Sequence, residues 1–207
     1  TDKVGIIGIN GTGKTTLLNL LAGLTAPDEG TISKASGARI AYLQQNPEFD
    51  KDLSLLSIVL QHVHKEAQDE SVHEAKTILT KLGFFDFDMS TGSMSEGEKK
   101  RVAIAQTLMS PCELLILDEP TNHLDSHMVQ WLETYLKRYQ GAMIMVTHDR
   151  YFLERVTSRI VEIDSGSLYT YEGNYSQFLA QKAQREEMEL ATQRKNRSLY
   201  RRELEWM

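Results

Sequence analysis

A disulfide framework is excluded at the outset, because the 207 residues contain a single cysteine, Cys112. Set beside an apolar strand, it reads as a small buried hydrophobe in a reducing compartment. There is no run of eighteen apolar residues and no signal peptide, so no direct membrane insertion is expected and the chain is read as cytoplasmic. Positive charge is also short. The formal net charge is −6, which argues against a generally basic nucleic-acid-binding surface. What remains is ordinary globular material, 41% hydrophobic and 25% charged, long enough for one α/β domain with something added.

The average charge hides an asymmetry. Residues 180–207 carry seven Lys/Arg and five Glu, a balance of +2, so the preceding 179 residues hold −8. Within that tail, Arg194, Lys195, Arg197, Arg201 and Arg202 fall within an arc of about 160° on a helix of 100° per residue. No acidic residue interrupts the sequence between Arg194 and Arg202. A solvated helix face is the bland reading of this pattern, although the 194–202 segment lacks acidic partners at helical spacing.

The chemistry is concentrated first in Gly8-Ile9-Asn10-Gly11-Thr12-Gly13-Lys14-Thr15, a fit to the phosphate-binding pattern G-x-x-x-x-G-K-[ST]. A strand at Val4–Ile7 precedes it and an apolar helical run, Thr16–Leu24, follows. Glycine lets the backbone curl so that successive N–H groups point at an anion, and the helix start adds its positive dipole end. Lys14 would reach the β/γ-phosphates and the Thr15 hydroxyl would ligate Mg²⁺. A nucleoside triphosphate is the expected ligand. The strand begins so near residue 1 that the base-binding part is expected upstream, and both ends look cut from a longer polypeptide.

Further along, Thr31–Ser33 and Arg39–Leu43 read as strands, with Gln44 and Gln45 placed to reach a metal or its water. Residues 54–83 read as helical, opened at Ser54, with a capping box at Ser71/Glu74 and a stop at Gly83. His62, His64 and His73 read as solvated. A second capping box, Ser95/Glu98, opens a helix through Met109. Glu113–Glu119 is an apolar run ending in two carboxylates, as in a central parallel strand. On the phosphoryl-transfer template Asp118 would hold Mg²⁺ and Glu119 would act as general base on water. Ser126–Tyr139 reads as a helix and Ala142–Val146 as a buried strand. His148 then stands at the carboxyl edge of the sheet, where it could contact a γ-phosphate. Strands at Arg159–Ile163 and Ser167–Tyr171 and a long helix from Tyr175 complete the reading.

Taken together, the phosphate loop, Gln45, the Ser95 motif, Asp118-Glu119, Asp125 and His148 resemble an ATP-binding-cassette ATPase. Glu119-Pro120-Thr121-Asn122-His123-Leu124-Asp125, Thr147-His148-Asp149-Arg150-Tyr151-Phe152-Leu153 and Tyr171-Glu172-Gly173-Asn174-Tyr175-Ser176 resemble the ABC-F group within it, soluble ATPases that act on ribosomes. The resemblance implies a P-loop NTPase fold of the ABC type with a helical subdomain at about 49–110. It divides the chain into an ATPase domain, 1–172, and the start of an interdomain linker helix, 173–207. It implies ATP and Mg²⁺ as ligands, held by Gly8, Asn10, Gly11, Thr12, Gly13, Lys14, Thr15, Thr16 and Gln45, with Thr15, Gln45 and Asp118 toward the metal. Glu119 and His148 would be catalytic. Ser95, Gly97 and Asp125 would also be nucleotide-binding, with residues 95–101 the signature that covers the ATP of a second cassette. Ribosomal RNA is the expected partner of the linker, and an ATP-binding subunit of a membrane transporter is the alternative. Two features depart from the group: Glu96 stands where a glycine is usual, and only 49 residues separate Gln45 from Ser95.

Overall fold

The computed structural model describes residues 2–50, 52–64 and 67–205, without the side chains of residues 68, 93, 193 and 195–205. The first strand, β1 (Lys3–Ile7), runs into the phosphate loop and then α1 (Lys14–Ala22). Next come β2 (Ile40–Leu43) and three helices, α2 (Leu55–Leu60), α3 (Gln68–Lys81) and α4 (Glu96–Met109). The chain returns through β3 (Leu114–Asp118), α5 (Ser126–Arg138), β4 (Ala142–Val146) and α6 (Arg150–Val156). It closes with β5 (Arg159–Asp164), β6 (Ser167–Glu172) and α7 (Tyr175–Glu205).

Six strands form one sheet in the order β2-β3-β4-β1-β5-β6, parallel except for the terminal β5–β6 pair. Alternation along the central strands sends side chains to two layers. Ile6, Ile116 and Val146 face α1 and pack with Leu18. Leu115, Leu117, Met143 and Met145 face the opposite side, where they join Leu79, Ile104, Leu132 and Phe152 from the helices. Both faces are therefore covered, which is why these strands read as nearly unbroken apolar runs. Close approach of α6 to β1 depends on Gly5, where an added Cβ would lie 2.7 Å from Leu153 Cδ2.

Helix boundaries follow local chemistry. Ser54 accepts from the Ser57 amide to start α2. Ser95 and Glu98 make the reciprocal box at α4, and Asp125 and Asp149 accept from Met128 and Phe152 to start α5 and α6. Gly83 leaves α3 in the left-handed conformation, φ 84°.

Several expectations need correction. Thr31–Ser33 is not a strand: residues 31–37 are exposed and make no ladder, and a short β-prone run acquires strand structure only through pairing. Residues 54–83 are not helical throughout, since α2 ends at Leu60 in a turn where the Val63 amide donates to Leu60 O. Ser71 does not cap α3, which begins earlier, after Ala67, with Asp69 and Glu70 complementing its dipole in the first turn. The helix α6 was not foreseen. His62, His64 and His73 are exposed. Cys112 is half-buried, its Sγ 3.3 Å from the Tyr139 hydroxyl. Of the basic stripe, the side chain of Arg194 is exposed, while those of Lys195, Arg197, Arg201 and Arg202 lie outside the described side chains.

Candidate functional site

The carboxyl ends of β1, β3 and β4 and the turn after β2 converge on one cavity of about 490 Å³. It is lined by Asn10, Gly11, Gly13, Lys14, Thr15, Thr16, Gln45, Asp118, Glu119, Asn122, Val146 and His148. The phosphate loop forms one wall. Gly11 and Gly13 have φ of 84° and 90°, a left-handed conformation that lets the chain turn inward with no Cβ in the way. No side chain caps the start of α1 and no acidic residue occupies its first turn. Its first amides therefore remain available to an anion, with the helix dipole behind them. Lys14 folds over the loop, its Nζ donating to Gly8 O at 2.8 Å and to Ile9 O at 2.9 Å. Thr12 braces the loop through a hydroxyl bond to Ile9 O at 2.9 Å.

The opposite wall is acidic. Asp118, 1% exposed, accepts a 2.9 Å hydrogen bond from the Thr15 hydroxyl through Oδ2. Glu119, 8% exposed, takes a left-handed backbone conformation, φ 49°. Its amide donates to Val146 O at 2.8 Å, and its carboxylate accepts from the His148 amide at 3.3 Å. The His148 ring Nε2 lies 3.4 Å from the other oxygen, Oε1. Burial raises the pKa of both carboxyls, opposed by the Thr15 hydrogen bond and lysine charges at Asp118 and by His148 at Glu119. A buried carboxylate whose proton affinity is increased, facing a cavity, is suited to accepting a proton.

Hard oxygen donors for a small divalent cation stand together here: the Thr15 hydroxyl and the Asp118 carboxylate are already in contact, and the Gln45 side chain lines the same cavity. This donor set fits Mg²⁺.

Five sequence-predicted residues do not line this cavity, the first being Thr12, whose hydroxyl is used within the loop. Gly8 lines a neighbouring cavity of about 580 Å³ that reaches toward Tyr175, Phe178 and Lys182. Ser95 is committed to its capping box, and Asp125 to the start of α5. Gly97 abuts His123, where an added Cβ would sit 3.3 Å from the His123 Cβ. None of these lines the phosphate-loop cavity.

Besides Val146 at the end of β4, two residues were missed as members of the site. Asn122 lines the cavity from the loop after Glu119. Lys100 lies beneath it, buried on α4, with its pKa lowered to about 8 by that burial. Its signal was present: Lys100 falls three and four residues before Ala103 and Ile104, on the apolar stripe of the helix.

Comparison with known proteins agrees with this geometry. Residues 1–122 match the family model described as ABC transporter, and residues 161–207 match a second model of the same description. The chain is 41% identical over 243 aligned positions to the Bacillus subtilis protein named "Uncharacterized ABC transporter ATP-binding protein YfmR", covering 100% of this chain and 39% of that protein. It is 38% identical to the "Energy-dependent translational throttle protein EttA" of Mycobacterium tuberculosis, covering 99% of this chain and 43% of that protein. A solved structure titled "RNase-L Inhibitor" superposes with a TM-score of 0.72 at 27% identity, covering 87% of this chain and 37% of that one. The chain thus spans about two fifths of the length of the curated relatives it matches.

Proposed function

The chain belongs to the ABC transporter family of ATP-binding cassettes, and from that premise we propose that it binds ATP with Mg²⁺ and hydrolyses it as one cassette of an ABC-F-type protein. The observation carrying this reading is the placement of Glu119: a buried carboxylate with raised proton affinity, facing the cavity that Lys14 and Thr15 also line.

In this mechanism the loop amides and Lys14 hold the β- and γ-phosphates. Swinging Nζ away from Gly8 O and Ile9 O frees the ammonium for them. Thr15, Asp118 and Gln45 would hold Mg²⁺, which when bound neutralises phosphate charge. Glu119 accepts a proton as water attacks the γ-phosphorus, the bond to the β-bridging oxygen breaks, and ADP and phosphate leave. His148, touching both oxygens of Glu119, orients that carboxylate and, lining the same cavity, would contact the γ-phosphate.

Ser95 and Gly97 do not line this chain's own cavity, and that supports a second cassette as the partner they serve. Residues 1–172 would form the ATPase domain, with 49–110 its helical subdomain, and 173–207 the start of a linker. The length of α7, 31 residues or about 46 Å, suits a linker. Among the described residues no helix is long and apolar enough to cross a membrane. A cytoplasmic ATPase acting on the ribosome, with the linker toward RNA, is supported by the translational name of the Mycobacterium relative.

Titration of the purified chain with ATP and Mg²⁺ tests the reading. Lys14→Ala removes a charge-assisted contact worth about 1.5–3 kcal/mol, so affinity should fall about tenfold or more. Equal affinity in the two proteins would contradict it.

A further inference from the structure

A second residue under the site has no part in the mechanism above. The Lys100 side chain is buried, and its Nζ donates to Gln44 O at 2.7 Å, to Asp118 O at 2.9 Å and to Gln45 O at 3.5 Å. An ammonium has three donors and no acceptor, so all its protons are directed at backbone carbonyls of two separate segments. Among the described residues no carboxylate forms an ion pair with it. A methionine or leucine would fill the same space without burying a charge, so a filling role alone does not account for a lysine there.

The two segments are the ones that carry the candidate magnesium ligands other than Thr15. One is the turn after β2, with Gln45; the other is the end of β3, with Asp118. The grip on β3 is two-sided. The carbonyl of Asp118 and the amide of Glu119 belong to one peptide unit, and that amide donates to Val146 O at 2.8 Å. Lys100 on one edge and β4 on the other therefore fix the plane of this peptide. Glu119 follows it in a left-handed conformation, which costs a non-glycine residue about 1–2 kcal/mol and needs such restraint to persist.

We propose that Lys100 is a positioning residue: by tying the β2 turn to the end of β3 it sets where Gln45 and Asp118 stand, and so controls the magnesium-dependent part of nucleotide binding. The proposal rests on the ATP reading given above. The ladder between β2 and β3 reaches Leu43 and Leu117; past its end, among the described hydrogen bonds, Lys100 joins the Gln44-Gln45 turn to Asp118, and Thr15 joins Asp118 to the phosphate loop. Loss of an outer partner that orients a metal ligand commonly costs ten- to a hundredfold in metal affinity.

The test is titration with a fluorescent ATP analogue, with and without Mg²⁺, of the wild-type chain, Lys100→Met and Lys100→Gln, folding being checked by circular dichroism. Metal-free affinity should stay within about twofold, since the phosphate loop is untouched, while the gain produced by Mg²⁺ shrinks about tenfold in Lys100→Met. Lys100→Gln, whose amide still donates to one carbonyl, should fall between, and it decides the question if the methionine variant does not fold. In a Gln45→Ala background the Lys100 substitution should cost much less than in the wild type, because both act on the same ligand. An unchanged magnesium gain in a folded Lys100 variant, or fully additive losses in the double variant, would overturn the proposal. A wild-type chain without any magnesium-dependent gain would instead overturn the ATP reading itself, and the proposal with it.

Discussion

The attachment of α7 to the body offers an asymmetric perturbation. Glu162 on β5 has a side chain only 6% exposed, and it is met by three groups from neighbouring elements. Tyr171 Oη donates to it at 3.0 Å, Lys182 Nζ is hydrogen-bonded to it, and Arg185 Nη2 lies 3.4 Å away. The cations are the more exposed partners, at 29% and 18%, and each has a second carboxylate within reach: Glu186 for Lys182, Asp164 and Glu189 for Arg185. Removing the carboxylate with Glu162→Gln therefore leaves no stranded charge and should cost about 1–3 kcal/mol, the scale of lost charged hydrogen bonds. Removing both cations with Lys182→Met and Arg185→Met strands a buried carboxylate on one tyrosine hydroxyl. That should cost at least about 3 kcal/mol, toward the range for breaking a buried pair. The assay is amide hydrogen exchange over residues 175–190 with urea denaturation of the same variants. Opening of α7 should rise modestly in Glu162→Gln and much more in the double variant. Equal effects, or a larger effect from Glu162→Gln, would refute the reasoning, because the buried member would then not be the one that needs its partners.

Two further outcomes are expected. Burial raises the pKa of Glu133, but hydrogen bonds from Lys137 at 2.8 Å and Arg155 at 3.0 Å outweigh it, so the net shift is downward from the ordinary value of 4.5. With the folded pKa depressed, Glu133 stabilises the fold above pH 4.5 and loses that contribution as pH falls through its lower folded value. Glu133→Gln should therefore flatten the acid limb of a stability–pH curve measured by urea midpoints, and an unchanged limb would contradict the assignment. For the tail, changing Arg194, Arg197 and Arg201 together to Gln in the full-length protein should flatten the log–log salt dependence of ribosome affinity by roughly two to three units. An unchanged slope would leave a solvated helix face.

The site was legible where its chemistry is local. Gly11, Gly13, Lys14 and Thr15 announce themselves because a phosphate cradle needs left-handed glycines, a cation and a hydroxyl within one turn. Asp118 and Glu119 do so because two carboxylates ending an apolar strand have few other uses. The sheet was legible for the same reason: β3 and β4 are buried on both faces, so their runs are almost wholly apolar. What failed depends on contacts distant in sequence. Thr31–Ser33 has strand composition but no neighbour to pair with. The turn at 61–64 that separates α2 from α3 interrupts a segment whose apolar residues continue on both sides of it. The seven residues of α6 were too short to show a period, although Asp149 marks its start. Lys100 sits at a core phase of α4, but nothing local shows that its partners come from the turn after β2 and the end of β3.

The most direct test of the central claim compares ATP affinity and turnover in Glu119→Gln. The amide keeps the shape and the hydrogen-bonding partners at His148 but no longer takes the proton from water. In the full-length protein, ATP should bind as in the wild type while phosphate release falls about a hundredfold or more, the scale of a lost general base. Wild-type turnover in Glu119→Gln would contradict the account.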